Sequence, residues 1–371
     1  MKVLSLFDGM ACGMLAMQRA GIEVDRYVAY EIDKYAVQTS SHNFPMIEHM
    51  GDVFCADFTQ YDGFDFVIGG SPCTYWSIAQ TNNRETEASG MGWELFCQYV
   101  RAVREAKPKF FVYENNKSMS KAIRASIDEA FGFEAVCINS SLVSAQNRQR
   151  LYWVGKRNDD GTYSKVPIEQ PKDLCILLND VLDGAIAYRD KAHTIDANYY
   201  KGGNYTSFTK QSGQRLMAAV PVYAEGVPVD CPALRVREAT IKGYVDIDPG
   251  DCVDMTMPNS KTRRGRSMKD KCNCVMTGCQ YYQYCGTLAK PIFKVEGGMI
   301  DINGKRYPIR LIDGYYILRQ LTVEEIKRLQ TVTEWYEFPV SDTQAYKMLG
   351  NGWTVDVIAH LLKGCVCYEH C

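Results

Sequence analysis

Cys73 closes the stretch Gly69-Gly70-Ser71-Pro72-Cys73, directly after the apolar run Phe64 to Ile68. A strand that stops on two glycines and then presents Pro-Cys carries a thiol to the carboxyl edge of a parallel sheet, where open α/β folds hold ligands. A thiol there can act as a nucleophile. With 15 cysteines in the chain, a small buried hydrophobe is the competing reading. Glu114 ends another nearly all-apolar run, Lys109 to Tyr113. Partial desolvation at such a strand end lets a carboxyl hold or donate a proton near neutrality. An acid paired with an arginine is the alternative. Gln146-Asn147-Arg148-Gln149-Arg150 precedes the apolar strand Leu151 to Val154. Alternation puts Gln146, Arg148 and Arg150 on one face, where guanidinium groups can bind carboxylate, carbonyl or phosphate oxygens.

The elements that must position these residues read as a doubly wound α/β sheet. Lys2 to Phe7 is a strand, Asp8 to Gly13 a glycine turn, and Met14 to Ala20 a helix, a pattern that brings backbone and a helix N-terminus close to a ligand. Arg26 to Tyr30 is a second strand ending in Glu31, near where dinucleotide folds place an acid for ribose hydroxyls. Asp52 stands at a third strand end, so Asp8, Glu31, Asp52 and Cys73 could line one cleft. Helices are expected at Lys34 to Asn43 and Trp93 to Lys107, the latter stopped by Pro108. Thr74 to Gly92 is polar and aperiodic, as in a functional lid or a disordered loop.

At 371 residues the chain has room for two domains, and its composition is that of a soluble globular protein. No apolar stretch approaches a membrane span, and the start reaches Asp8 too soon for a signal peptide, so a cytoplasmic location is expected. An odd cysteine count without a secretory signal points to reduced thiols. The net charge of -2 does not advertise a polyanion partner, so any nucleic-acid contact must come from local patches.

In order, Phe7-Asp8-Gly9, Ser71-Pro72-Cys73, Glu114-Asn115-Asn116, Gln146-x-Arg148-x-Arg150 and Gly350-Asn351-Gly352-Trp353-Thr354-Val355 resemble the motifs of the DNA cytosine-C5 methyltransferase family. Arg319-Gln320-Leu321-Thr322-Val323-Glu324-Glu325 resembles its penultimate motif. The segment Phe7 to Gly13 looks more like the animal de novo enzymes, and the stretch between Val154 and Arg319 like the target-recognition region of bacterial and phage enzymes. Asn116 departs from the family, which usually has Val there.

The resemblance implies a Rossmann-like S-adenosylmethionine-dependent methyltransferase sheet with helices on both faces, plus a smaller, mainly-β target-recognition domain. The expected divisions are a catalytic domain at 1–185, a recognition domain at 186–316, a hinge at 317–345 and a C-terminal helix at 346–371. It implies methyl transfer to C5 of a cytosine flipped out of double-stranded DNA. Cys73 would add to C6, Glu114 would assist at N3, Arg150 would hold O2, and Arg148 would stand close behind. For S-adenosylmethionine the matching positions are Phe7, Asp8, Gly9, Gly13, Glu31, Ile32, Asp52, Val53, Pro72, Leu95, Asn351 and Trp353.

For DNA they are Ser77, Gln80 and Arg84 on the Thr74–Gly92 loop, joined by the basic cluster Lys261, Arg263, Arg264 and Arg266. Asp190 to Tyr200 is echoed by Asp270 to Tyr282, and both are expected in the DNA-facing domain. A tRNA cytosine methyltransferase is a rival reading, disfavoured by the large recognition region. A catalytically silent homologue is disfavoured by the joint presence of Cys73, Glu114 and Arg150. A monomer is expected, and its role is open between a restriction partner, an orphan enzyme and a phage enzyme that hides its DNA. Cys272, Cys274, Cys279 and Cys285 lack paired spacing, and Cys365, Cys367, His370 and Cys371 are crowded, so no metal is expected.

Overall fold

The computed structural model describes residues 1–78, 84–201, 217–222, 229–230, 234–248, 250–257, 260–269, 272, 280–284, 287–288, 292–302 and 304–369. The chain forms two compact units, one of Met1–Ala218 with Arg319–Cys371 and one of Ala219–Leu318.

The first unit is built on a sheet of β1 (Lys2–Leu6), β2 (Arg26–Tyr30), β3 (Glu48–His49), β4 (Phe66–Gly69), β5 (Phe110–Asn116), β6 (Val136–Asn139), β7 (Gln149–Arg157) and β8 (Tyr163–Lys165). Their order is β3-β2-β1-β4-β5-β7-β6, with β8 on the far end of β7. The first five strands are parallel, and β7 runs against both β5 and β6. Strand order reverses between β1 and β4, so the loops leaving these two strands part and open a crevice at their carboxyl ends.

Both faces of the sheet are covered, which explains the unbroken apolar runs. Along β4, Phe66 and Ile68 enter one core and Val67 the other. The first core takes α1 (Cys12–Ala20) and the C-terminal helix Val355–Glu369, which pack together. The second takes α3 (Gly90–Ala106) and α4 (Lys121–Phe131); α2 (Lys34–Asn43) lies between β2 and β3 in sequence.

Several expected boundaries move, for physical reasons. α3 begins at Gly90 rather than Trp93, because the Glu85 carboxylate accepts the Gly92 N–H at 3.2 Å and caps the first turn from outside. β5 runs on through Glu114 to Asn116, because Asn116 still pairs with Arg150. Asp52 does not end a strand: β3 has two residues, and Asp52 caps the turn Val53–Cys55 by accepting the Phe54 N–H at 3.0 Å. The segment after residue 185 packs within the first unit, where Ala187, Ala192, Ile195 and Tyr199 belong to the core.

The second unit holds short antiparallel pairings. Leu234–Arg237 pairs with Tyr244–Ile247, Cys252–Asp254 lies between Ser267–Met268 and Tyr281–Gln283, and Ile292–Glu296, Met299–Ile302 and Lys305–Pro308 form a meander. Val236, Ile247, Val253 and Tyr284 form a small core. Cys252 and Cys272 are joined as a disulfide, with Cα atoms 5.6 Å apart, where reduced thiols were expected. The other three cysteines of that group, Cys274, Cys279 and Cys285, and the end of the terminal group, His370 and Cys371, lie outside the described residues. Among the described residues, no helix is long and apolar enough to cross a membrane.

Candidate active site

Cys73 follows β4 and opens a single helical turn, Cys73–Tyr75, with its thiol free and half-buried. Its carbonyl accepts the N–H of Trp76 at 3.1 Å and of Ser77 at 3.0 Å. The ends of β4 and β5 are stitched by the buried Asn115, whose amide donates to the Ser71 carbonyl at 3.2 Å and the Tyr113 hydroxyl at 3.1 Å. Asn116, the departure from the family pattern, donates to the Cys73 carbonyl at 3.4 Å and accepts from Ser118 at 2.8 Å. An amide at this position does something Val could not: it ties the turn bearing the thiol to the strand bearing the acid.

Glu114 is held by two donors. Arg150 Nε lies 3.0 Å from Oε1, and the Trp353 indole N–H donates to Oε2 at 3.0 Å. The antiparallel register sets Arg150 opposite Asn116, hence diagonal to Glu114, which long side chains can span. Gly70 is required here, since a Cβ would stand 2.8 Å from Glu114 Oε2 and 2.9 Å from its carbonyl.

Arg148 shares the face but not the setting. It is almost wholly buried and donates to the carbonyls of Ile195 at 2.9 Å, Gly350 at 3.2 Å and Gly352 at 2.9 Å. Burial, then the nearby Arg150 charge, lowers its pKa. It is a clamp on three carbonyls of two backbone segments rather than a group facing the cavity. Gln146 acts alike, accepting the Ile195 N–H at 2.7 Å and donating to the Leu329 carbonyl.

A cavity of about 660 Å³ opens beside Cys73 and is lined also by Ser77, Asn116, Lys117, Asn147, Arg150, Thr194 and Asn351. Its far wall is the 194–198 segment, placed by Arg148 and by Lys191, whose ammonium donates to the carbonyls of Ser141, Ser144 and Ile176. The first of the two echoed segments therefore belongs to the first unit, while most of the second lies outside the described residues.

The loop after Cys73 is anchored at its base. Trp76 is fully buried and donates to Glu85 at 3.0 Å. Arg84, expected on DNA, instead donates to the carbonyls of Trp76 at 3.1 Å and Ser118 at 2.6 Å. Gln80 lies outside the described residues.

The carboxyl ends of β1 and β2 gather a second set. Gly9 donates to Glu31 at 2.8 Å, and the other Glu31 oxygen accepts the N–H groups of Ile32 and Asp33. Phe7, Gly9 and Ala11 all have left-handed backbones, which in the non-glycine Phe7 and Ala11 is a strain of the kind that clusters at ligand sites. Asp8 is buried, bonded through one oxygen to Ser5 at 2.6 Å and Tyr27 at 2.7 Å, and its other oxygen has no partner. Burial lifts its carboxyl to about 6. Gly13 serves packing: a Cβ would press on Ile68 and the Tyr27 hydroxyl. Ile32 and Pro72 are exposed, Val53 is buried, and Leu95 packs half-buried on the second core.

In the second unit the basic cluster divides. Lys261 and Arg264 are exposed, but Arg263 pairs with Asp254. Arg266 is fully buried and donates to the carbonyls of Asp254 and Met257, so it braces the unit and is not placed to reach a phosphate.

Sequence reading missed Lys191, Glu85 and the bond from Trp353 to Glu114. The echo at Asp190 to Tyr200 was the one signal for the first. Nothing in residue type marks the other two.

Residues 1–367 match the family model described as C-5 cytosine-specific DNA methylase. The type II methyltransferase M.NlaX of Neisseria lactamica is 29% identical over 96% of this chain and 93% of its own. The orphan methyltransferase M.SPRI of Bacillus phage SPR is 34% identical over 43% of this chain. The match spans 38% of that phage protein and 33% of a second one, so the chain covers well under half the length of these relatives. The structure of Entamoeba histolytica methyltransferase EhMeth superposes with a TM-score of 0.53 at 13% identity, over 99% of this chain and 98% of that one, a likeness of fold.

Proposed function

Since the chain belongs to the C-5 cytosine-specific DNA methylase family, we propose that it transfers a methyl group from S-adenosylmethionine to C5 of a cytosine flipped out of a specific double-stranded DNA sequence. What supports the reading is the Glu114 carboxylate, held by Arg150 and Trp353 behind the cavity that Cys73 opens onto.

Cytosine C5 is a weak nucleophile. Addition of the Cys73 thiolate to C6 forms an S–C6 bond and places an electron pair at C5, while Glu114 supplies or shares the proton that N3 takes up. Arg150 orients Glu114 and can turn its remaining N–H groups to the base O2. After methylation at C5, the C5 proton passes to water, the S–C6 bond breaks to free Cys73 as its thiolate, and the N3 proton returns to Glu114. Extruding the base costs roughly a few kcal/mol, to be offset by contacts along the polar cavity wall.

The first-unit residues fit the cofactor. The position of a Cβ on Gly9 is open space, and Glu31, with three N–H groups on its oxygens, keeps acceptor capacity for ribose hydroxyls. S-adenosylmethionine, when bound, supplies an electrophilic sulfonium methyl. Phe7 and Ile32 would pack on its adenine, Asp52 would accept the adenine amino group, and Asn351 and Leu95 would close the site. The second unit would read the DNA sequence, and the protein would act as a monomer in the cytoplasm of a bacterial or phage-infected cell.

The test is trapping. DNA carrying 5-fluorocytosine at a verified target should form a stable adduct with the protein and S-adenosylmethionine, because the fluorine cannot leave as a proton does. Cys73→Ala should abolish it. No adduct, or the same adduct in the variant, overturns the mechanism.

A further inference from the structure

The turn between Leu234–Arg237 and Tyr244–Ile247 carries Ile241 at its tip, with an accessible surface 110% of the reference for an isolated residue. Single exposed apolar residues are ordinary on a protein surface. This one sits on a braced scaffold. Glu238 N–H donates to Gly243, Thr240 N–H to Glu238 and Gly243 N–H to Thr240, all within 3.1 Å. The Ala239 N–H donates to the Arg263 carbonyl at 2.9 Å, Arg264 Nε returns a bond to the Ala239 carbonyl at 2.8 Å, and the Arg266 N–H donates to Glu238 at 2.8 Å. The tip and the 261–266 loop are therefore one piece.

Charge on that piece leans positive. Asp254 is paired with Arg263 and Asp246 with Lys242, while a Glu238 carboxylate oxygen accepts the Arg266 backbone N–H. Among the described residues, neither Lys261 nor Arg264 has a carboxylate partner. The same loop exposes a second apolar side chain, Met257, whose carbonyl is held by Arg266. A rigid apolar tip beside unpaired cations is complementary to one polyanion with an apolar interior edge, the DNA duplex.

Resting on the reading of this unit as the DNA-facing one, we propose that Ile241 is an apolar finger that enters a groove and contacts bases, with Lys261 and Arg264 on the flanking phosphates. Cations on phosphates position a protein without reading sequence. An aliphatic side chain is desolvated only against base carbon, such as a thymine methyl or a partly unstacked step.

The two kinds of contact respond differently to salt. Phosphate contacts release counterions and apolar contacts do not. With the full chain and a labelled mixed-sequence duplex, anisotropy across a salt series should show Ile241→Ser binding about tenfold more weakly with an unchanged salt slope. Ile241→Met should bind like the parent, and Lys261→Gln should lower the slope by about 1. Unchanged affinity in Ile241→Ser, or a slope that falls with it, overturns the finger. Sedimentation that shifts only with Ile241→Ser assigns the tip to a second copy of the chain and also overturns it. If the parent protein traps 5-fluorocytosine DNA yet Ile241→Ser binds normally, only the finger fails; if the parent neither binds nor traps, the reading beneath it fails.

Discussion

Arg150 Nε lies 3.0 Å from Glu114 Oε1, and the pair is set diagonally across two strands that run in opposite directions. The reversal matters. A parallel strand delivers its last residues to the carboxyl edge of the sheet, whereas β7 delivers its first, so Arg150 and the end of β5 meet at one place.

Removing the acid should cost general acid assistance, roughly 10²–10⁴-fold in rate. Glu114→Gln is expected to lose that much methyl transfer while remaining folded. Trp353→Phe, which deletes one donor to the carboxylate, should lose roughly ten- to a hundredfold, the worth of a hydrogen bond to a charged group. Single-turnover methylation on a verified target measures both. Trp353→Phe at the parent rate would remove the indole from the catalytic arrangement.

Arg148 should behave as a structural residue. Three backbone carbonyls depend on its guanidinium, so Arg148→Ala is expected to lose roughly 3–5 kcal/mol of stability. Arg148→Lys should recover little, because an ammonium cannot span carbonyls arranged for a planar fork. Urea unfolding measures this. A fully stable, inactive Arg148→Ala would instead return the residue to the reacting groups.

Asp8 gives stability a pH dependence of definite sign. Its folded value, about 6, stands above the ordinary 3.8. Between roughly pH 4 and pH 6 the folded protein keeps a proton that the unfolded chain has released, so its stability falls as pH rises through that window and then levels off. Asp8→Asn cannot ionise, and its stability relative to the parent should rise across the window by up to roughly 3 kcal/mol. Unfolding both proteins at several pH values checks this; a gap that stays constant would exclude Asp8 as the titrating group.

The sheet was legible because its strands are continuous apolar runs punctuated by glycine and acids, as at Phe64 to Cys73. Cys73, Glu114 and Arg150 stood out because their types mark chemistry and their positions mark strand ends. The arginines show where such reading stops. Arg84, Arg148, Arg150 and Arg266 look alike in sequence, yet three bind backbone carbonyls from buried or half-buried positions, Arg266 among them in the second unit, and only Arg150 meets a carboxylate beside the cavity. Which partner an arginine finds is decided by segments far away in the chain, and no local pattern encodes that.

The bond from Trp353 to Glu114 joins residues 239 apart, and that from Arg148 to the Gly352 carbonyl joins residues 204 apart. Contacts of such separation are slow to form, since a long loop must be closed before they reward the chain. During synthesis the thiol and the acid emerge early and their supports last. The nascent chain can thus complete most of its sheet while its reactive centre is still unassembled, and that centre becomes competent only when the 350–353 turn comes home.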